Sequence, residues 1–259
     1  MDATVGLGGH AESILQASSP DGRLMGIDRD ADALARSAER LAPFGDRVRL
    51  VHGNYSEATS LLPGENFDGV LADLGVSSMQ LLTPERGFSF MAEGPLDMRM
   101  DRSTGPSAAE YLAAVSPEEL EERLREAGEE RFAKKLTALL KSRESWSGTA
   151  ELAQAVSRTI PRRGKSHPAT RVFMALRMAV NREMESLKSF LEVAPSLLEP
   201  GGRLAVISFH STEDRIVKRF YQKREDVRRI TKSPVIPAWE ERKGNPRSRS
   251  AKLRVFEKI

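Results

Sequence analysis

The chain has 259 residues, 39% hydrophobic and 30% charged, the proportions of a soluble globular protein with one good core and room for a smaller second one. It has no cysteine, which excludes a disulfide framework and a thiolate metal site and agrees with a reducing cytoplasm; its four scattered histidines lack ligand spacing, so no metal is expected. No apolar run approaches a membrane span, no signal-peptide pattern opens the chain, and a formal net charge of +3 is too small for a polycation, so a cytoplasmic protein without a membrane partner is expected.

The first hundred residues alternate short β runs with helix-period segments. Ala3-Thr4-Val5 leads into Gly6-Leu7-Gly8-Gly9, Leu24 to Ile27 ends at Asp28, Val48 to Val51 ends at His52-Gly53-Asn54-Tyr55, and Gly69 to Ala72 ends at Asp73. Between the second and third runs, Ala31, Leu34, Ala35, Ala38, Leu41 and Ala42 mark one helical face. Strand, helix, strand with short links predicts a parallel, doubly wound α/β sheet, whose ligands bind beyond the carboxyl ends of the strands. The stretch 73–101 crowds glycines, carboxylates, arginines and two phenylalanines into what reads as loop, and the site is sought there.

From about Ser107 the texture becomes helical. Ser107 to Glu110 and Ser116 to Glu119 read as capping boxes, Thr149 as an N-cap for a helix to Ile160, and no strand signal intervenes, so 106–168 is expected as a small all-helical insertion domain between 1–105 and 169–259. A long helix is predicted from Ala169 to Ala194, a strand over 201–210, a helix opened by Ser211-Thr212-Glu213-Asp214 and a final strand from Leu253 to Phe256. Basic residues gather in Arg162-Arg163-Gly164-Lys165 and between Arg242 and Arg254, which favours a polyanionic partner.

Asp2-Ala3-Thr4-Val5-Gly6-Leu7-Gly8-Gly9-His10 is a strand turning into a helix through glycines, and the free N–H groups of that helix suit a carboxylate or phosphate. Asp28, about twenty residues on, is placed to take both ribose hydroxyls of a nucleoside cofactor. A dinucleotide fold wants G-x-G-x-x-G, which is lacking; an S-adenosylmethionine loop wants D-x-G-x-G-x-G, which Asp2, Gly6 and Gly8 fit with Thr4 in place of the first glycine. The sulfonium cofactor is favoured, with an NAD-linked oxidoreductase as the alternative of different chemistry.

Gly8-Gly9-His10, Gly26-Ile27-Asp28-Arg29-Asp30, His52-Gly53-Asn54, the 73–101 block, His167-Pro168-Ala169-Thr170-Arg171, Ile207-Ser208-Phe209-His210-Ser211 and the Asn245–Arg254 tail together resemble the bacterial 16S ribosomal RNA cytosine-N4 methyltransferases over essentially the whole chain. That resemblance implies a class I methyltransferase (Rossmann-like) core with a helical insert, S-adenosyl-L-methionine as cofactor, and a cytidine in the decoding region of 16S ribosomal RNA, within the small ribosomal subunit, as substrate. It implies cofactor contacts from Gly8, Gly9, His10, Asp28, Asp73 and Gln80, with Tyr55, where the family usually has Phe, against the adenine.

The exocyclic amine of cytosine is a poor nucleophile, so the enzyme must align it and accept its hydrogen bonds as charge builds. Asp73, or a carbonyl of Leu74-Gly75, is the expected acceptor, with Phe88 or Phe90 as stacking ring for an extruded base. His210 is a candidate substrate contact, and Arg86, Arg99, Arg162, Arg163, Lys165, Arg247 and Arg249 are candidate phosphate contacts. Each has a plainer reading as packing, cap or solvated surface. Against the family's pattern, Met1 stands directly before Asp2, cutting the first strand to a stub, and Met79 and Thr212 replace a usual Pro and Leu. The stub keeps alive a catalytically weak or silent RNA-binding member as an alternative, and the oligomeric state stays open, homodimer included.

Overall fold

The computed structural model describes residues 1–162, 166–222 and 224–259. In chain order its elements are α1 (Gly9–Ala17), β1 (Leu24–Asp28), α2 (Ala31–Leu41), β2 (Val48–His52), α3 (Ala58–Leu61), β3 (Phe67–Asp73), α4 (Ser78–Leu82), α5 (Ala108–Ala114), α6 (Pro117–Glu126), α7 (Ala133–Leu140), α8 (Thr149–Thr159), α9 (Thr170–Val180), α10 (Glu183–Val193), β4 (Leu198–Ser208), α11 (Ser211–Tyr221), β5 (Val227–Arg229), α12 (Trp239–Gly244) and β6 (Lys252–Lys258). They form two compact units, Met1–Gly75 with Met184–Ile259, and Val76–Glu183.

In the first unit β1 pairs in parallel with β2, and β3 with β4, while β6 runs antiparallel to both β4 and β5. The expected first strand is short but central. Asp2 N–H donates to Met25 O at 2.8 Å and Val5 N–H to Ile27 O at 2.9 Å on one side; on the other, Ala3 N–H donates to Leu71 O at 2.7 Å. Residues 1–5 therefore join the two halves in the order β2, β1, 1–5, β3, β4, β6, β5. This is the doubly wound sheet expected of a class I methyltransferase core, with its strand-order reversal where 1–5 meets β3. One apolar cluster gathers Ile27, Val70, Ala72, Phe190, Leu191, Val206 and Phe256; a smaller one joins Val5, Ala11, Leu15, Leu24 and Leu41.

Helix α2 buries Ala33, Ser37 and Leu41 rather than the alanine face expected, and Ala31, Ala35 and Ala38 are exposed. A methyl group contributes too little burial energy to orient a helix. The Asp30 cap, accepting from Asp32 N–H and Ala33 N–H, sets its start, and small Ser37 lets it approach the glycine loop.

The second unit departs from the sequence expectations at several points. Its compact body runs from Val76 to Glu183 rather than 106–168, because Phe88, Leu96, Met98 and Met100 on one side, and Ala169, Val172, Phe173 and Leu176 on the other, share one core with Leu120, Leu124, Leu136 and Leu152. The long helix breaks after Val180. Asn181 Nδ2 donates to Met98 O at 2.7 Å and Arg177 O at 2.8 Å, its Oδ1 accepts from Met100 N–H at 2.8 Å, and Arg182 follows with φ +50°. The stretch 73–101 is architecture as much as loop. A Cβ on Gly87 would lie 2.2 Å from Pro95 O, and one on Gly94 2.0 Å from Pro84 O, so these glycines permit backbone-to-backbone contact. Ser107 closes the expected capping box with Glu110, and Ser116 caps α6 by accepting from Glu119 N–H, the serine half of the box expected there; α8 is capped by Gly148, and Thr149 Oγ1 instead donates to Ala92 O and accepts from Gly94 N–H.

Candidate functional site

Beyond the carboxyl ends of residues 1–5, β1 and β3, the backbone turns on Gly6 (φ +51°) and Gly8 (φ +79°) before α1 begins at Gly9. A Cβ on Gly8 would sit 2.9 Å from Ser37 Oγ and 3.4 Å from the Leu41 side chain, so both space and dihedral demand glycine. The first N–H groups of α1, as at any helix start, lack intrahelical partners.

Asp28, ending β1, holds the turn. Its Oδ2 accepts from Gly6 N–H at 2.7 Å and its Oδ1 from Asp30 N–H at 2.9 Å, leaving one lone pair on each oxygen for a ligand hydroxyl. Burial pushes its pKa up. Asp73, ending β3, is fixed through its own N–H, which donates to Thr4 Oγ1 at 2.7 Å. Its Oδ2 lies 3.4 Å from His10 Nε2, while its Oδ1 is buried without a partner. Donating a hydrogen bond to the Asp73 carboxylate raises the pKa of His10, so the imidazole keeps its proton to higher pH than usual. Thr4, which replaces the first glycine of the expected loop pattern, thus has a role the sequence did not reveal, although its departure from glycine was the signal. Tyr55 follows β2 and sets its ring edge-on to Phe190 at 5.1 Å.

Beneath the turn lies Asp2, fully buried, with Oδ1 accepting from Thr4 N–H at 3.1 Å and Oδ2 unpartnered. Burial raises its pKa from 3.8 to about 6. An acid whose folded pKa lies above its unfolded one contributes stability that is complete below the unfolded value and lost as pH rises through the folded one. At about 1.4 kcal/mol per pKa unit, ionising Asp2 removes on the order of 3 kcal/mol between pH 3.8 and about 6. Asp2→Asn should flatten that decline in denaturant-melt stability; an unchanged slope would contradict the assignment.

The other predicted residues fare differently. Gln80 is buried in the second unit, where its side chain closes a capping box with Ser77 at the start of α4. Arg86, expected at a phosphate, is buried, and its guanidinium donates to Arg99 O at 3.0 Å and Met100 O at 2.9 Å, serving irregular backbone. Arg99 is held by Asp97 at 2.8 and 2.9 Å. Burial works against the Asp97 charge, yet these bonds outweigh it and lower the Asp97 pKa. Phe88 lies in the helical core, and swinging it out to stack on a base would forfeit about 1.5–3 kcal/mol of burial. Phe90 packs on Phe173 at 4.9 Å and His167 at 4.6 Å.

His210 is the N-cap of α11, where Ser211 was expected: Nδ1 accepts from Glu213 N–H at 3.4 Å and Nε2 lies 3.0 Å from Glu213 Oε1. Glu213, expected only as part of the helix start, is buried and its Oε2 accepts from the N–H groups of Phe209 and His210, fixing the turn after β4. Arg247 and Arg249 are exposed on a short turn over Pro246–Ser250, and Arg162 is exposed. Arg163 and Lys165 lie outside the described residues.

The model of the MraW methylase family matches residues 1–259. The chain is 49% identical to "Ribosomal RNA small subunit methyltransferase H" of Cyanothece sp. (strain PCC 7425), with 100% of this chain and 87% of that protein covered. It is 48% identical to the protein of the same name from Trichlorobacter lovleyi, with 100% and 91% covered. A solved rRNA methylase from Streptococcus thermophilus aligns with TM-score 0.45 at 12% identity, covering 100% of this chain and 84% of that one.

Proposed function

This chain belongs to the MraW methylase family and is an S-adenosylmethionine-dependent methyltransferase; from that premise we propose that it methylates the exocyclic N4 amine of a cytidine in the decoding region of 16S ribosomal RNA. What carries the reading is the gathering of the Asp28–Gly6 hydrogen bond, the glycine turn and the His10–Asp73 pair on one edge of one sheet.

The residues present suit the cofactor. Asp2, Asp28 and Asp73 gather three carboxyl groups, the first two with pKa values raised by burial, and Asp2 and Asp73 each keep a buried oxygen without a partner. Such a site favours a cationic ligand. Asp28 would hold the ribose hydroxyls, Gly8, Gly9 and His10 the methionine end, and Tyr55 the adenine. When bound, the cofactor supplies an electrophilic methyl group on a positively charged sulfur.

Asp73 does the work specific to an amine. As the nitrogen lone pair leaves the ring system to form the new bond, the N–H groups grow acidic, and a carboxylate at the strand end accepts them. Thr4 is a positioning residue that fixes the Asp73 backbone. Gln80, buried in its own cap, would act by ordering the turn at the start of α4.

The test is methyl transfer from labelled S-adenosylmethionine to small ribosomal subunits from a strain lacking the modification, followed by nucleoside analysis. Label recovered as N4-methylcytidine is expected; label on another nucleoside, or on protein, would end the proposal.

A further inference from the structure

A cavity of about 320 Å3 opens after β4; its lining includes apolar Phe209, Ile236 and Ala251 and basic Arg242, Arg249 and Lys252, the last paired with Asp214 at 3.2 Å. We propose that this cavity is a docking site for an unpaired nucleotide flanking the methylated cytidine, base and sugar against the apolar wall and phosphate on the arginines. The inference rests on the RNA reading above.

Four observations carry it. The cavity adjoins the proposed chemistry: Leu74 N–H donates to Ile207 O at 2.9 Å, and a Cβ on Gly75 would meet the Phe209 ring at 3.9 Å, so Phe209 stands beside the chain that leaves Asp73. Its walls are fixed rather than improvised. Val235 and Leu253 exchange two backbone bonds of 2.9 Å, placing Ile236; Arg242 Nε donates to Pro237 O at 2.8 Å; and Glu213 holds Phe209 and His210. Its surroundings expose apolar side chains that no core claims, Val235 at 53%, Ile236 at 57% and Trp239 at 67%, the last with Lys243 Nζ 5.3 Å from its ring. Apolar surface interleaved with cations is the pattern of single-stranded nucleic acid binding, where rings stack on bases and cations follow phosphates. The volume falls at the low end of the ~300–1,000 Å3 range of ligand clefts, room for one nucleotide and not for a duplex.

Trp239 supplies the readout, because Trp146, the other tryptophan, is buried and gives a constant background. Titrating the full chain with a short single-stranded oligoribonucleotide should quench Trp239 emission saturably, the more weakly the higher the salt. Arg249→Glu and Ile236→Asp alter exposed side chains and should each raise the dissociation constant, and the KM for the RNA acceptor, by about tenfold, with affinity for S-adenosylhomocysteine and melting temperature unchanged. Wild-type quenching and KM in both variants would overturn the proposal, as would displacement of the RNA by polyglutamate of equal length, which marks a general anion patch. If the parent chain methylates no RNA while variant-sensitive quenching persists, the functional reading falls and the nucleotide site stands; an active parent with indifferent variants sinks the site alone.

Discussion

Asp73→Asn is expected to slow methyl transfer by about 10²–10⁴-fold, the range for removing a group that takes up a proton from the reacting atom, with affinity for the uncharged-sulfur product S-adenosylhomocysteine closer to that of the parent chain than affinity for the cationic cofactor. Asparagine keeps the shape and, through its backbone N–H, the bond to Thr4 Oγ1. It loses the charge, and its amide presents a donor where the amine also donates. The substitution has a second signature. Since the hydrogen bond that His10 donates to Asp73 is the largest cause of its raised pKa, that pKa should drop in the variant and be visible by imidazole NMR. In the parent chain protonated His10 competes for Asp73 Oδ2, so the rate should climb with pH through the His10 titration. Unchanged turnover in Asp73→Asn would return the acceptor role to a carbonyl of Leu74 or Gly75.

Asp28→Ala should weaken S-adenosylhomocysteine binding by about 10²-fold or more, measured by calorimetry. Hydrogen bonds to a charged group contribute about 1.5–3 kcal/mol each, and two ribose hydroxyls would lose theirs. The same change leaves Gly6 N–H and Asp30 N–H without their acceptor. An unsatisfied donor costs about 1–3 kcal/mol, and in a chain of this size each kcal/mol lowers Tm by about 2–4 °C. Loss of affinity and loss of Tm should therefore appear together. Asp28→Asn, which keeps one acceptor oxygen, should fall between the two. Binding within a few-fold of the parent in Asp28→Ala would dissociate this residue from the cofactor.

The parts of the molecule that could be read in advance are those governed by local rules. Buried parallel strands appear as apolar runs, and the residue that ends each run lies at the sheet edge whatever the helices do, so the sequence alone brings Gly8, Asp28 and Asp73 to one edge. The serine caps at 107 and 116 were legible for the same reason. What escaped depends on distant partners. Nothing local to Arg86 says that its guanidinium will serve the carbonyls of residues 99 and 100, or that Phe88 and Met98 will share a core with Leu152. The helix break at Asn181 is likewise written in residues 98 and 100, some eighty positions earlier. The cavity beside Phe209 needs Val235 to pair with Leu253, a contact with no periodic signal.

Strands β3 and β4 are direct neighbours, Leu71 opposite Ala205, although the 108 residues of the helical unit separate Gly75 from Met184. During synthesis the ribosome must therefore release every helix from α4 to α9 before the middle of the sheet can close. Until then residues 1–5 can zip onto β1 and β3 alone, and the backbone edge of β3 that β4 will pair waits with its N–H and C=O groups unpaired. Closing so long a gap adds only about 0.6 kcal/mol for each doubling of its length, so the delay is a matter of timing rather than of final stability. The nascent chain passes through a stage with a finished cofactor turn and half a sheet, a form that chaperones would meet and the mature protein never shows.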